Sequence, residues 1–248
     1  MIILLTNDDG IESPGLTILR NEMEKKHRVY MSAPVRDRSG ISHALSLNDP
    51  IRIRKLGDRV FSCSGYPADC VITAFLGALP EVPDCVISGI NLGPNLGSDL
   101  LYSGTAAAAR QASIMGKPGL AISIASFLGP YHFGAAISFL NRYFDSLLEG
   151  WKEGTFFNVN LPNTDATELK VTITSLARLE YKTSLTGFTT SGKEMYHFFN
   201  GELKNTAFPP DTDIAAVHAG HISVTAVDTY PASSGTSPEI SAIFQTQG

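Results

Sequence analysis

The chain begins with the stretch Ile2-Ile3-Leu4-Leu5-Thr6-Asn7-Asp8-Asp9-Gly10, in which an apolar run leads into two adjacent aspartates. An uninterrupted run of β-branched and leucine residues is typical of a strand buried on both faces of a parallel sheet. The run therefore predicts a first strand over Ile2–Thr6. Asp8 and Asp9 follow its carboxyl end, which is where open α/β sheets bind their ligands.

The acidic pair itself has two interpretations. Neighbouring carboxylates repel each other unless a proton or a cation offsets their charge, and a hard divalent cation is the usual partner of such oxygens. Alternatively, Asp9-Gly10 forms only a turn and Asp8 only leads into a helix, because Asp and Gly are common turn residues. Further polar loops along the chain favour the first interpretation.

Strand and helix patterns alternate along the first two-thirds of the chain. We expect strands at residues 2–6, 29–33, 84–88, 120–124 and 156–161, and helices at residues 14–25, 68–79, 105–115 and 134–147. A β-like stretch at residues 45–63 includes the alternating Ile51-Arg52-Ile53-Arg54, which predicts a half-buried antiparallel piece. The alternation of strands and helices indicates an α/β fold, with a mostly parallel sheet covered by helices on both faces.

The last third of the chain has a different pattern. We expect short strands at residues 169–175, 215–217 and 222–227, and a hairpin, flap or oligomer arm between Arg178 and Asp213. Residues 231–238 read as a flexible link to a β-like terminal piece at 239–244. We therefore expect one domain over 1–248, with a core at about 1–177, strands returning at about 213–228, and protruding segments at 178–212 and 229–248.

Composition excludes several classes of protein. The chain has 248 residues, is 43% hydrophobic and carries a net charge of −5, so it can bury a large core but has no basic surface for coating nucleic acid. Three cysteines without CxxC spacing argue against a disulfide framework or a zinc knuckle. No apolar stretch is long enough for a signal peptide or a membrane span. We expect a cytoplasmic protein that does not bind membranes.

Polar clusters follow several of the predicted strands. Ser39 lies in the loop after the second strand, and Asn91 lies in the loop after the strand at residues 84–88. The carboxyl ends of parallel strands share one edge of the sheet, so Asp8, Asp9, Ser39 and Asn91 are expected to converge there. Their hydroxyl, amide and carboxylate oxygens suit Mg²⁺, Mn²⁺ or Ca²⁺ better than zinc.

Ser103-Gly104-Thr105 opens an alanine-rich helix and resembles a phosphate cradle. Glycine lets the backbone approach an anion closely, and the first amides of the helix point toward it. The alternative is a plain helix N-cap, since Ser and Thr are preferred there. Asn91 and Asn95 have a corresponding alternative as ordinary loop residues.

A series of short motifs extends in order over nearly the whole chain. These blocks are Thr6-Asn7-Asp8-Asp9-Gly10-Ile11, Ser13-Pro14-Gly15, Ala33-Pro34, Arg38-Ser39-Gly40, Pro67-Ala68-Asp69-Cys70-Val71, Ser88-Gly89-Ile90-Asn91, Asn95-Leu96-Gly97, Tyr102-Ser103-Gly104-Thr105, Asn158-Val159-Asn160-Leu161-Pro162 and Ile222-Ser223-Val224-Thr225. Through these blocks the sequence resembles the SurE (stationary-phase survival protein) family. Their joint occurrence is far more specific than any single motif.

The resemblance implies a Rossmann-like α/β domain with a β-rich C-terminal extension that builds homodimers or homotetramers. It implies a metal-dependent phosphatase that acts on nucleoside 5′- or 3′-monophosphates, and in some members on short polyphosphate. Carried over by residue, it makes Asp8, Asp9, Ser39 and Asn91 the ligands of one divalent metal ion per subunit, such as Mg or Mn, and Asp8 and Asp9 the catalytic residues. It places Asn95, Ser103, Gly104 and Thr105 around the phosphate.

Four positions depart from the family pattern. Tyr66 stands where Thr is usual, Ala106 replaces a usual Val, and Arg110-Gln111 stands where Glu-Gly is usual. We expect Tyr66 to alter the crevice, and the charge reversal at Arg110 to change helix packing or substrate preference near the site. None of these positions is a proposed metal ligand, so the expected class of reaction does not change.

Other ionisable residues have simpler explanations. His218 and His221 are spaced three apart, but Gly220 between them argues against a shared helical face that would bind a metal. His43, close after Ser39, either reaches the site or is an exposed loop residue, and we favour the second. We expect Asp37 to be a turn residue and Asp69 a residue of a helical first turn.

Two chemical routes and three rival functions remain open from the sequence. The nucleophile is either a water activated at the metal, with an Asp as base, or one Asp carboxylate; we favour water. The first rival is a Rossmann-like module that senses a nucleotide without turnover, although Asp-Asp-Gly stands where the dinucleotide fingerprint would be. The others are a receiver-type phosphorylation switch, which would be about half as long, and a structural oligomer, which leaves the polar loops unexplained.

Overall fold

A nine-stranded sheet forms the centre of the protein in the computed structural model, which describes residues 1–204 and 207–232. All the strands below belong to this sheet except β9 and β10, which pair only with each other. The strands are β1 (Ile2–Thr6), β2 (Arg28–Pro34), β3 (Ile53–Gly57), β4 (Val60–Cys63), β5 (Cys85–Leu92), β6 (Gly119–Ile124), β7 (Thr155–Leu161), β8 (Val171–Ile173), β9 (Tyr181–Thr189), β10 (Met195–Leu203) and β11 (Ile222–Asp228). The helices are α1 (Pro14–Met23), α2 (Pro67–Thr73), α3 (Gly104–Ile114), α4 (Gly134–Glu149) and α5 (Asp213–His218).

The order of the strands creates a crevice beside β1. The sheet runs β3-β4-β2-β1-β5-β6-β7-β11-β8, and the strands from β4 to β7 are parallel. From β1 the chain first builds outward through β2 and then returns to place β5 on the other side of β1. Such a reversal opens a crevice at the carboxyl ends of the two central strands. Here those ends carry the acidic pair and Asn91.

Helices cover both faces of the sheet, as the sequence predicts. Successive side chains of a strand point to opposite faces, and in β1 Ile3 and Leu5 join one buried cluster while Leu4 joins the other. The first cluster also contains apolar residues of α1 and α4, and the second contains residues of α2 and α3. The mostly parallel, doubly covered α/β fold is therefore confirmed.

The edges of the sheet are antiparallel. β3 pairs antiparallel with β4, and β11 pairs antiparallel with β7 while running parallel to the short β8. β9 and β10 form a separate antiparallel hairpin, so the excursion predicted after Arg178 is a hairpin. The hairpin exposes large apolar residues, including Leu185, Phe198 and Phe199.

Three sequence-based boundaries were wrong. Residues 215–217 belong to helix α5 rather than to a strand, because Asp213 lies in its first turn and two alanines continue it. Residues 45–52 form a loop, since Ser46 donates to the Asp69 carboxylate instead of pairing with a strand. The helix predicted over residues 68–79 is shorter, because α2 ends at Thr73. A π-helical turn at Ala74–Ala78 follows it, in which Gly77 has a φ of +98°.

Two further expectations concern the ends and cysteines of the chain. The flexible link and terminal β piece predicted for residues 231–244 lie outside the described residues, apart from Pro231 and Ala232. Cys63, Cys70 and Cys85 are free and buried. Within residues 1–204 and 207–232, no helix has both the length and the apolar character needed to cross a bilayer.

Candidate active site

A cleft of about 270 Å³ lies at the carboxyl ends of β1 and β5. Six of the eight residues singled out from the sequence line it: Asp8, Asp9, Ser39, Asn91, Asn95 and Ser103. The other two, Gly104 and Thr105, lie directly against Asp8 at the start of α3. Loops that are far apart in the sequence therefore meet at one edge of the sheet.

Asp8 is buried beneath the cleft and is held by the first turn of α3. Its Oδ1 accepts a hydrogen bond from the Thr105 hydroxyl. Burial raises the pKa of Asp8, and hydrogen bonds from the side chain and backbone of Thr105 only partly offset that rise. A bound cation would stabilise the ionised form of a carboxylate buried in this way.

Asp9 lies closer to solvent than Asp8. Its Oδ2 accepts a hydrogen bond from the backbone N–H of Leu92, at 3.3 Å, so it joins the loop after β1 to the end of β5. Burial, followed by the charge of Asp8, raises the pKa of Asp9 to about 7. Both effects are those that a bound cation would counteract.

Ser39 and Asn91 each orient an oxygen donor at the cleft. The Ser39 hydroxyl donates to Oδ1 of Asp37 at 2.6 Å, which leaves its oxygen lone pairs available to a cation. The Asn91 Nδ2 donates to the carbonyl of Gly93 at 2.9 Å. This bond orients the side-chain amide and leaves its oxygen available to a cation. Asp37, expected only as a turn residue, also raises the pKa of Asp8 and Asp9 through its charge.

The donor set fits a hard divalent cation. Two carboxylates, one hydroxyl and one amide provide only oxygen, which suits Mg²⁺ or Mn²⁺. In the described part of the chain, no group of three or more His, Cys, Asp and Glu side chains is arranged to bind a metal.

Asn95 is held on several sides by a buried polar network. Its backbone N–H donates to Oδ1 of Asn160 at 2.8 Å, and its carbonyl accepts from Nδ2 of Asn158 and of Asn160. Its own Nδ2 donates to the Ser123 hydroxyl at 2.8 Å. Asn158, Asn160 and Ser123 were not predicted as site residues, although the Asn-x-Asn pattern in a buried strand was a usable signal, because buried amides need partners.

The start of α3 combines both interpretations of its sequence. The Ser103 Oγ accepts from the backbone N–H of Ala106 at 2.9 Å, so Ser103 is the N-cap and also lines the cleft. A Cβ on Gly104 would lie 2.8 Å from Cβ of Asp8, so only glycine permits this close approach. The Thr105 hydroxyl is engaged by Asp8, which makes Asp8 the anion nearest to this helix end.

The remaining candidates lie around the site or away from it. The guanidinium carbon of Arg38 is 4.9 Å from the centroid of the Tyr66 ring, next to the Ser39 loop. Arg110, expected near the site, instead lines a separate cavity of about 550 Å³. His43 was expected to be exposed but is half-buried, with its Nε2 2.9 Å from Oε1 of Gln111, because the loop after Ser39 folds back on α3.

Three other ionisable residues occupy structural positions. Asp69 lies in the first turn of α2, as predicted, where Oδ2 accepts from the backbone N–H of Tyr66 at 2.9 Å. His218 ends α5 and is exposed, whereas His221 lies beyond that helix with its Nδ1 3.1 Å from the Thr172 hydroxyl. The two histidines therefore do not share a helical face.

Comparison with known proteins identifies similar chains and a similar fold. The family model described as "Survival protein SurE" matches residues 3–183. A 5′-nucleotidase SurE from Desulforudis audaxviator is 41% identical over 238 residues, covering 92% of this chain and 91% of that protein. The 5′-nucleotidase SurE of Moorella thermoacetica is 38% identical over 232 residues, covering 91% and 89%. The crystal structure of a SurE protein from Aquifex aeolicus matches 98% of this chain and all of its own, with 32% identity and a TM-score of 0.85.

Proposed function

The chain belongs to the SurE family, and we propose that its acidic cleft is the active site of a metal-dependent phosphomonoesterase. The enzyme hydrolyses nucleoside 5′-monophosphates to nucleosides and phosphate. One observation carries this assignment: four side-chain oxygen donors, from the loop after β1, the loop after β2 and the end of β5, line one cleft at the switch point of a parallel sheet. The relatives named 5′-nucleotidase match about nine-tenths of this chain, which supports the same activity here.

Asp8, Asp9, Ser39 and Asn91 would hold one divalent ion per subunit, with Mg²⁺ and Mn²⁺ as the candidates. When bound, the ion would offset the two carboxylate charges and polarise a phosphoryl oxygen. The approach of a phosphate dianion would otherwise be opposed by Asp8 and Asp9. These two side chains are therefore the ones on which turnover depends most.

The loop after β5 and the start of α3 would bind the phosphate. Asn95 and Ser103 line the cleft, and Gly104 allows the backbone of α3 to come close. Backbone N–H groups at a helix start and the Ser103 hydroxyl are donors suited to phosphoryl oxygens. Thr105 contributes through Asp8, since its hydroxyl fixes that carboxylate.

Water is the nucleophile that we favour over an aspartate. Asp8 already accepts from Thr105 and Asp9 from Leu92, so each carboxylate is held by a protein donor as well as being needed for the cation. An Asp side chain that stays in place can orient a water and take up its proton. Hydroxylamine trapping during turnover tests this choice: we expect no aspartyl hydroxamate, and its formation at Asp8 or Asp9 would establish the covalent route.

The proposal extends to substrate range and assembly. We include 3′-monophosphates and short polyphosphate among the substrates. We also propose a single domain over residues 1–248, homodimeric or homotetrameric assembly and a cytoplasmic location. The exposed apolar residues of the β9–β10 hairpin support assembly, because surfaces of this kind mark protein interfaces.

A phosphate-release screen tests the reaction. AMP, 3′-AMP, tripolyphosphate and p-nitrophenyl phosphate are offered to the EDTA-treated protein, before and after addition of Mg²⁺ or Mn²⁺. We expect release from AMP only with metal, and a fall of about 100-fold or more in the Asp8→Asn and Asp9→Asn variants, since the metal supplies several kcal/mol. Asp58→Asn, in the exposed β3–β4 turn, is the matched control. Binding of AMP without any release would instead support a nucleotide sensor.

A further inference from the structure

Two exposed aromatic side chains lie at the cleft that contains the acidic pair. Tyr102 is 64% and Phe127 is 79% exposed, and both line this cleft. Exposed aromatic rings at the mouth of a polar cleft offer a large apolar contact surface without any covering group. Neither ring is needed for the metal or phosphate contacts described above.

Both aromatic residues lie beside segments that line the phosphate and metal region of the cleft. Tyr102 directly precedes Ser103, the N-cap of α3, and its carbonyl accepts from the backbone N–H of Ser42 at 2.8 Å. Phe127 lies in the loop after β6, and its Cδ1 is 4.0 Å from the position that a Cβ on Gly93 would occupy. The carbonyl of Gly93 is in turn held by Asn91. Tyr102 is thus the sequence neighbour of Ser103, which lines the phosphate end of the cleft. Phe127 lies beside Gly93, whose carbonyl is bonded to the proposed metal ligand Asn91.

We propose that Tyr102 and Phe127 form the subsite for the nucleobase. This inference rests on the proposed function and deepens it, because it says which part of the substrate the aromatic rim recognises. A nucleoside monophosphate is a phosphate dianion joined through a sugar to a flat aromatic base. The acidic end of the cleft serves the phosphate, and the aromatic rim provides π-faces on which the base stacks.

The aromatic rim is expected to discriminate only weakly between different bases. Every base has a π-face, so stacking accepts purines and pyrimidines and favours the larger purine rings. The subsite therefore predicts a preference for nucleotides over phosphate esters that lack a base. It does not require the donors and acceptors that reading one particular base would need.

The test compares a substrate that has a base with one that lacks it. Phe127→Ala and Tyr102→Ala are assayed with AMP and with ribose 5-phosphate, which retains the sugar and phosphate. We expect the ratio of kcat/KM for AMP to kcat/KM for ribose 5-phosphate to fall about tenfold in each variant, mainly through KM for AMP, as loss of one base–aromatic stack would produce.

Neighbouring leucines provide matched controls. Leu128 is 79% exposed and follows Phe127, and Leu101 is 63% exposed and precedes Tyr102, but neither lines the acidic cleft. Leu128→Ala and Leu101→Ala should keep the wild-type ratio. A second readout is adenosine binding to the wild-type protein and the variants by saturation-transfer NMR, which does not depend on turnover.

The outcomes separate this inference from the proposed function. An unchanged AMP to ribose 5-phosphate ratio in both aromatic variants, with undiminished adenosine binding, overturns the base subsite even if the enzyme is a phosphatase. Adenosine binding that depends on Phe127 and Tyr102, in a protein that releases no phosphate from any ester, sustains the subsite and overturns the proposed reaction. Equal loss in the leucine controls also overturns the subsite.

Discussion

The hydroxyl of Thr105 donates a hydrogen bond to Oδ1 of Asp8, and this bond ties the first turn of α3 to the loop after β1. The two residues are 97 positions apart in the sequence. Their contact places a helix N-terminus, with its partial positive charge, against a buried carboxylate. The geometry of the acidic pair therefore depends on α3 as well as on the strand that carries it.

Replacing Thr105 with Val should impair the site without unfolding the protein. Valine keeps the shape of threonine but cannot donate to Asp8, and a buried hydrogen bond to a charged group contributes about 1.5–3 kcal/mol. We expect kcat/KM for AMP to fall by about tenfold or more, with a weaker affinity for Mn²⁺ by calorimetry. Thr105→Ser, which keeps the hydroxyl, should recover most of the loss. Equal activity of the Val and Ser variants would show that the bond to Asp8 has no role.

Gly104→Ala should displace Asp8. The added Cβ would lie 2.8 Å from Cβ and 2.9 Å from Oδ2 of Asp8, so one of the two elements must shift. We expect a loss of Mn²⁺ affinity that exceeds the loss of thermal stability. Gly57→Ala is the control, because a Cβ there meets its nearest atom at 4.0 Å. Normal Mn²⁺ binding by Gly104→Ala would mean that this close approach is not required.

The Asn95 network should control the phosphate end of the cleft. Asn160→Ala removes both the acceptor for the Asn95 N–H and a donor to the Asn95 carbonyl, leaving buried backbone groups without these partners. We expect inhibition by inorganic phosphate to weaken by about tenfold at an unchanged Mn²⁺ affinity, because the loop loses its fixed position. Asn163→Ala, which removes an exposed amide bonded to the Pro130 carbonyl, is the control. The prediction fails if phosphate inhibits the Asn160 variant as well as it inhibits wild type.

Most of the fold could be predicted because the strands carry strong local signals. The run Ile3-Leu4-Leu5 is buried on both faces, and the β1 boundaries agree with those expected from the sequence. Residues 215–217 were misassigned because three apolar residues carry no period that separates a strand from a helix turn. Asp213, in the first turn of this helix, also accepts from the backbone N–H of Gly97 at 2.6 Å and of Ala177 at 3.0 Å, and contacts between such distant residues cannot be read from the local sequence.

The candidate site could be predicted only in outline. Parallel strands share an edge, so Asp8 and Asn91 were expected to lie together, and the structure places both in one cleft. The bond from Thr105 to Asp8 could not be predicted, because it depends on how α3 docks on the sheet. The support of Asn95 by Asn158 and Asn160 was missed for the same reason, since it joins a loop to a strand about 65 residues later.

Stability of the metal-free protein should fall as the pH rises from about 4 to about 7. The pKa of Asp9 is raised to about 7 and that of Asp8 is also raised, so the folded state holds these protons more tightly than the unfolded chain does. The stabilisation is complete below the ordinary carboxyl pKa and is lost as the pH passes the folded value, so the loss falls between about pH 4 and about pH 7.

Thermal melts check this dependence. We expect the Tm of EDTA-treated wild type to fall by a few degrees more between about pH 5 and about pH 8 than the Tm of Asp9→Asn, which lacks the titrating group. Asp213, whose pKa burial also raises, titrates in both proteins and cancels in this comparison. Mn²⁺ should raise the wild-type Tm more at the higher pH, where the carboxylates are ionised. If the Tm values of the two proteins change with pH in parallel, the raised pKa of Asp9 makes no contribution to stability, and the prediction is wrong.

Anomalous diffraction from crystals soaked in Mn²⁺ tests the central claim most directly. The claim is that Asp8, Asp9, Ser39 and Asn91 together bind one divalent cation in the cleft between β1 and β5. We predict one strong manganese peak per subunit, within coordination distance of oxygen atoms from these four side chains, and its loss in Asp9→Asn. A map without a peak at the two aspartates, or with manganese bound only elsewhere, would contradict the account.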